Sequence, residues 1–184
     1  MRLFIAVPLP KELTDRAAAL LPEGLPAVKR IPPELMHLTL AFLGWTPDWQ
    51  LDAVVEAASA ASADHQTFDL SFAGVGRFPG TGRVRIAWIG VADGRKPLAA
   101  LAASVAAELT CRSLKFEDRP FAPHLTLARA RVNASGPEAR TIAAAVDVLA
   151  VPELRTRVDR IAVVESVLSP KGPRYTARAE LLLG

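Results

Sequence analysis

The word His-Leu-Thr-Leu occurs twice, at His37-Leu38-Thr39-Leu40 and at His124-Leu125-Thr126-Leu127, close to half of the 184-residue chain apart. The chain has only 3 histidines, so two of the three open the same word. Repetition at half-length predicts two related halves, each presenting one imidazole. On a β-strand, residues two apart share a face. Each word therefore turns its leucines toward a core and sets an imidazole beside a hydroxyl on the other side. Two such strands facing a common cleft would gather two imidazoles and two hydroxyls. That set suits a phosphate: hydroxyls hold its oxygens while imidazoles move protons near neutral pH.

The rest of the composition sets bounds around this pair. A 51% hydrophobic, 22% charged chain is an ordinary globular protein, long enough for one domain or two small lobes sharing a core. The net charge of +3 cannot coat a long nucleic acid, which leaves a local basic cleft as the only electrostatic footprint to look for. A single cysteine, Cys111, excludes an intrachain disulfide, fits a reducing compartment, and reads as a buried filler. The apolar start is short, is broken by Pro8 and Pro10 and is followed by Lys11-Glu12, so it does not read as a signal peptide. No stretch reaches the length of a membrane span. A cytoplasmic protein is expected.

Pattern along the chain predicts the order β-α-β-α-β-β-α-β-α-β-β. Strands are expected over Arg2 to Val7, His37 to Leu43 (ended by Gly44), Phe68 to Phe78, Val84 to Val91, the second word from His124, Val158 to Leu168, and Tyr175 to Leu183. Helices are expected over Glu12 to Leu21, over Pro47 to Ala61 with Thr46 as cap, around Leu98 to Leu109, and after the capping-box word Ser135-Gly136-Pro137-Glu138. Gly80-Thr81-Gly82 and Pro170-Lys171-Gly172-Pro173 read as turns, and His65 as a solvated loop residue. No linker composition divides the chain, so residues 1–184 form one bilobal unit.

Other chemistries are weakly supported. Neither word offers His-x-His or His-Glu-x-x-His, and Cys111 has no partner, so no metal site is expected. Gly80-Thr81-Gly82 lacks the lysine and length of a phosphate-binding loop, and Gly74-Val75-Gly76 is not a dinucleotide fingerprint.

The two words and their flanks resemble the 2H phosphoesterase superfamily, and within it the RNA 2′,3′-cyclic phosphodiesterases historically called 2′-5′ RNA ligases. The resemblance runs from Leu3-Phe4-Ile5-Ala6-Val7 through Pro33-Glu34-Leu35-Met36 and both words to Ser166-Val167-Leu168 and Gly172-Pro173-Arg174-Tyr175. Polar residues such as Asn are usual where Leu35-Met36 stand. The resemblance implies an α+β, pseudo-twofold fold with two antiparallel sheets flanking a central cleft and helices outside. It implies no cofactor or metal, and a substrate that is RNA or an oligonucleotide ending in a 2′,3′-cyclic phosphate, opened to a 2′-phosphomonoester. It further implies His37 as proton donor, His124 as proton acceptor, and Thr39 and Thr126 as donors to phosphate oxygens. Arg129 is a phosphate contact by resemblance, although simple alternation from Thr126 does not put it on the catalytic face. Phe42 and Tyr175 are expected to stack bases, and Lys29-Arg30 and Arg174 to line an RNA path. A monomer suffices, because one chain supplies both imidazoles. Alternatives are ATP-independent reversible 2′-5′ RNA ligation, a different cyclic phosphate such as one derived from ADP-ribose, and a non-catalytic RNA-binding module.

Overall fold

The leucines of both words are buried and the intervening histidine and threonine are not, and this alternation organises the molecule. Leu38 and Leu125 are 1% and 0% exposed. His37, Thr39, His124 and Thr126 are all half-buried on the other face. Burying one such leucine stabilises the fold by about 1.5–3 kcal/mol, which fixes which face looks inward.

The computed structural model describes residues 1–170 and 172–184. Lys171, in the expected Pro170 to Pro173 turn, lies outside them. Strands β1 (Arg2–Pro8), β2 (Val28–Arg30) and β3 (His37–Trp45) are followed by β4 (Phe68–Phe78), β5 (Ile86–Val91), β6 (His124–Ala130), β7 (Leu154–Val158), β8 (Arg160–Ser169) and β9 (Gly172–Leu182). One sheet has the order β3-β1-β8-β9 and carries His37; the other has the order β2-β6-β5-β4-β7 and carries His124. Every neighbouring pair is antiparallel. Strands β3 and β6, which carry the two words, come into contact where the sheets join.

Helices α2 (Leu51–Ala63), α3 (Arg95–Cys111) and α4 (Gly136–Asp147) cover the faces opposite the cleft. The small residues Ala57, Ala58 and Ala61 with Val54 let α2 lie close on β8 and β9, while α3 packs on α2 and β3, and α4 on β4. The α4 start has the expected reciprocal cap: Glu138 N–H donates to the Ser135 hydroxyl (3.3 Å) and Ser135 N–H to the Glu138 carboxylate (2.6 Å).

Several expectations are corrected. Helix α1 (Lys11–Ala18) stops three residues short of Leu21; it packs beside Pro33–Leu35 and lines a cavity with the first sheet. Thr46 caps no helix; its buried hydroxyl donates to Gly44 O (3.4 Å), and a 3-10 turn Asp48–Gln50 precedes α2. Gly44 does not end β3: it takes a left-handed conformation (φ +69°) and the strand continues to Trp45. The short β2 and the polar-centred β7 add two strands that the pattern did not announce. His65 is not freely solvated but half-buried, with Nε2 2.8 Å from the Ser104 hydroxyl of α3. Cys111 is exposed at the end of α3 and fills no core.

Candidate active site

Both words carry the same irregularity. Against β1, Ala6 pairs with Thr39 and Ile5 with Ala41, so Leu40 has no partner of its own. Against β5, Trp88 pairs with Thr126 and Ala87 with Ala128, so Leu127 is likewise unpaired. Each is a β-bulge at the fourth residue of its word, and a bulge shifts the in–out alternation by one residue. The burial pattern records the shift, with Leu40-Ala41 and Leu127-Ala128 buried in succession and Phe42 and Arg129 exposed next. Arg129 therefore joins His124 and Thr126 on one face, and Phe42 joins His37 and Thr39. The two are equivalent positions of the repeat.

The imidazoles are held alike. His37 Nδ1 lies 2.8 Å from Leu35 O and His124 Nδ1 lies 2.7 Å from Ala122 O, in each case the carbonyl two residues earlier. A carbonyl only accepts, so Nδ1 carries the hydrogen in both rings, and Nε2 is left as the atom that takes or gives a proton. Aromatic walls fix each ring plane. His37 stacks on Phe4 (centroids 4.7 Å apart, 28° between planes) and meets Tyr175 edge-on at 5.5 Å. His124 meets Phe78 edge-on at 5.0 Å, with Trp88 at 6.1 Å. Gly76 makes room for that indole: a Cβ there would fall 2.2 Å from the Trp88 ring.

Charge distinguishes the two halves. Burial holds His37 unprotonated, with a pKa lowered to about 4; its bond to Leu35 O opposes this, and the positive charges of Arg129 and His124 add to it. That repulsion places the Arg129 guanidinium and the His124 ring within electrostatic reach of the His37 ring. Burial also pushes the Tyr175 hydroxyl up, while Arg129 and Arg2 pull it down. Among the described residues, neither Nε2, neither threonine hydroxyl of the words, nor the Arg129 guanidinium has a hydrogen-bond or ion-pair partner in the protein.

The remaining expected residues are placed differently. Arg30 sits one strand away on β2, and its guanidinium donates to Leu21 O (3.1 Å) and to the carbonyls of Ala18 and Pro22. It satisfies carbonyls of the last residue of α1 and of the segment that follows, and is turned away from His124 and Thr126. Arg174 follows the strand alternation to the face opposite Tyr175. Lys29, by contrast, pairs directly with Arg129 across β2 and β6, so two cations stand side by side on the cleft face. The sequence did not single out Phe4, Phe78 or Trp88, which reach the histidines only through strand pairing. Beside His37 a cavity of about 460 Å³ opens between the first sheet and α1, floored by Ala6, Ala162, Val164 and Ala177. No group of three or more His, Cys, Asp or Glu that could hold a metal ion occurs among the described residues.

His37 also links the site to stability. The unfolded chain takes up this proton near 6.5, the fold only near 4, so between those values the unfolded state binds more protons. The contribution is present above about pH 6.5 and is lost as pH falls toward 4. Its size is about 1–3 kcal/mol, allowing for the ring's partial exposure. Urea titrations from pH 7 to 4 should show that loss in the parent and a flatter profile in His37→Gln; equal slopes would remove the assignment.

Comparison with known proteins finds relatives over almost the whole chain. The family profile described as the 2′-5′ RNA ligase superfamily matches residues 9–169. A protein of Archaeoglobus fulgidus named RNA 2′,3′-cyclic phosphodiesterase is 36% identical over 178 residues, 95% of this chain and 96% of its own. A protein of the same name from Thermus thermophilus is 34% identical over 187 residues, 96% of this chain and 87% of its own. Among solved structures, TT0787 of Thermus thermophilus superposes with a TM-score of 0.80 at 28% identity, covering 100% of this chain and 98% of its own. Escherichia coli LigT without ligand shares the fold, with a TM-score of 0.76 at 24% identity and coverage of 99% and 96%. On sequence, topology and the paired words together, the chain belongs to the 2′-5′ RNA ligase superfamily.

Proposed function

We propose that this protein is an enzyme that hydrolyses 2′,3′-cyclic phosphates at RNA ends to a 2′-phosphomonoester and a 3′-hydroxyl. The observation that carries the reading is the matched pair of Nδ1-anchored imidazoles, each leaving Nε2 open beside a threonine hydroxyl that has no partner among the described residues. The relatives' shared name points to the same substrate class. Water attacks phosphorus as the bond from phosphorus to the ribose 3′-oxygen breaks. His124 Nε2 takes the proton from water, and His37 Nε2 gives one to the departing oxygen. Thr39, Thr126 and Arg129 hold the phosphoryl oxygens as their charge grows. Tyr175 and Phe42 flank the reacting end, and the cavity beside His37 has room for a nucleoside. Both imidazoles come from one chain, so a monomer carries the full set.

This division of labour requires His37 to be protonated before it acts, whereas in the free protein it is not. The bound phosphate supplies what is missing. Its negative charge opposes the repulsion from Arg129, raising the proton affinity of His37 as substrate arrives. The reaction needs a proton pair and an anion cradle, both present in side chains, and no metal has a step in it. Turnover of a dinucleotide 2′,3′-cyclic phosphate should persist in EDTA, and phosphorus NMR should show a 2′-monoester as product. Loss of activity on chelation, or a 3′-monoester, would refute the scheme. With a 5′-hydroxyl RNA end in place of water, the same proton route yields a 2′-5′ linkage, the reaction for which the superfamily is named.

A further inference from the structure

Beyond the reacting phosphate, the face of β3 that carries His37 continues as a file of exposed aromatic rings. A second irregularity, at Leu43, repeats the shift made at Leu40: Phe4 pairs with Phe42, and Leu3 with Gly44. Arg2 and Phe4 are two apart on β1 and share the face that meets His37. Trp45 pairs with Arg2, which puts it on that same face. The order along β3 is thus His37, Thr39, Phe42, Trp45, spanning roughly 20 Å at the rise of a bulged strand. Phe42 is 45% exposed, Trp45 81%, and Trp49, in the turn that follows, 79%. Scattered apolar residues on a surface need no explanation, but large exposed rings that follow one another on the strand and face of a catalytic histidine mark an interaction site.

Charge identifies the occupant. Arg2, beside Trp45, is exposed and has no ion pair or side-chain hydrogen bond among the described residues. Lys29 and Arg129 stand together at the inner end of the cleft, equally unpaired among those residues. Of the carboxylates beside the rings, Asp48 on the turn is matched by the N-terminal amine at 3.2 Å, and Glu117, whose N–H donates to Phe42 O, by Arg119 at 3.3 Å. Flat rings in file with uncompensated cations at both ends suit a polyanion whose bases can stack, and a folded protein partner has no need of this arrangement.

We propose that Phe42, Trp45 and Trp49, with Arg2, form a stacking track for the single-stranded RNA that precedes the reacting end. This rests on the hydrolase reading above, and it makes polynucleotide ends, over free nucleoside cyclic phosphates, the preferred substrate.

The test compares kcat/KM on an octanucleotide and on a dinucleotide, both ending in a 2′,3′-cyclic phosphate. The parent should favour the octanucleotide by about tenfold. Trp45→Leu, which keeps an apolar side chain but removes the ring, should shrink that ratio to about twofold or less, and Trp45→Tyr should keep most of it. No length advantage in the parent, or an advantage untouched by Trp45→Leu and Trp49→Leu, overturns the track. Should neither substrate turn over, the hydrolase reading fails separately. Quenching of tryptophan fluorescence by an octanucleotide with a 3′-phosphate end then decides the track, which stands if Trp45→Leu removes the quenching and falls if the parent shows none. A second copy of the chain is the competing occupant. A dimer in sedimentation equilibrium that Trp45→Leu dissolves would assign the face to self-association and overturn the proposal.

Discussion

His37→Ala and His124→Ala should each lower kcat/KM on a dinucleotide 2′,3′-cyclic phosphate by about 10²–10⁴-fold. Each removes one proton-transfer group and leaves the anion cradle intact. The two imidazoles act on a single step, so the double variant should be little worse than the poorer single one. The glutamine variants make a sharper comparison. A side-chain amide can still donate to Leu35 O or Ala122 O, but it offers no titrating nitrogen at the Nε2 position. If the histidines only held the strand ends in place, His37→Gln and His124→Gln would recover activity. The proton-transfer role requires that they do not. Losses below tenfold in both alanine variants would refute the mechanism, provided far-ultraviolet circular dichroism shows the variants folded.

Arg129→Met should cost about 10²–10³-fold, chiefly in kcat, because the guanidinium acts on charge that develops as the bond breaks. It should also move His37. Arg129 is one of the charges holding that ring unprotonated, so removing it raises the pKa from about 4, while burial, the larger cause, keeps it below the ordinary 6.5. Proton NMR of the His37 ring across pH 3 to 8 reads the shift directly. Arg129→Lys separates the two effects: it keeps the charge and so the low pKa, but gives up the planar fork that grips two oxygens. A His37 titration identical in parent and Arg129→Met would mean that the two groups do not share a site.

Much of this site was legible from eight residues. The repeat foretold two strands, and period-two alternation foretold which side of each word faces inward, because burial of leucine settles register locally. The reciprocal cap at Ser135 and Glu138 was equally visible, since its chemistry spans only four residues. The face of Arg129 was not. Whether a strand bulges depends on the partner strand, and nothing in Leu127 announces that β5 will skip it. The aromatic walls were hidden for the same reason: Phe4 meets His37, and Phe78 meets His124, only after the sheets assemble. Arg30 was expected to line an RNA path because sequence does not show that the chain after α1 brings the carbonyls of Leu21 and Pro22 within its reach. Strand β7 escaped because its core-facing ends, Leu154 and Val158, enclose three polar residues.

In both halves the acceptor that orients the imidazole is main-chain oxygen, supplied by a leucine in one case and an alanine in the other. Where a carboxylate does this work, a single codon change can erase it. Here no replacement of Leu35 or Ala122 removes the oxygen, so the tautomer of each ring is insulated from mutation at the positions that set it. Lineages can then vary these flanking residues to reshape the groove while the proton chemistry passes through unaltered.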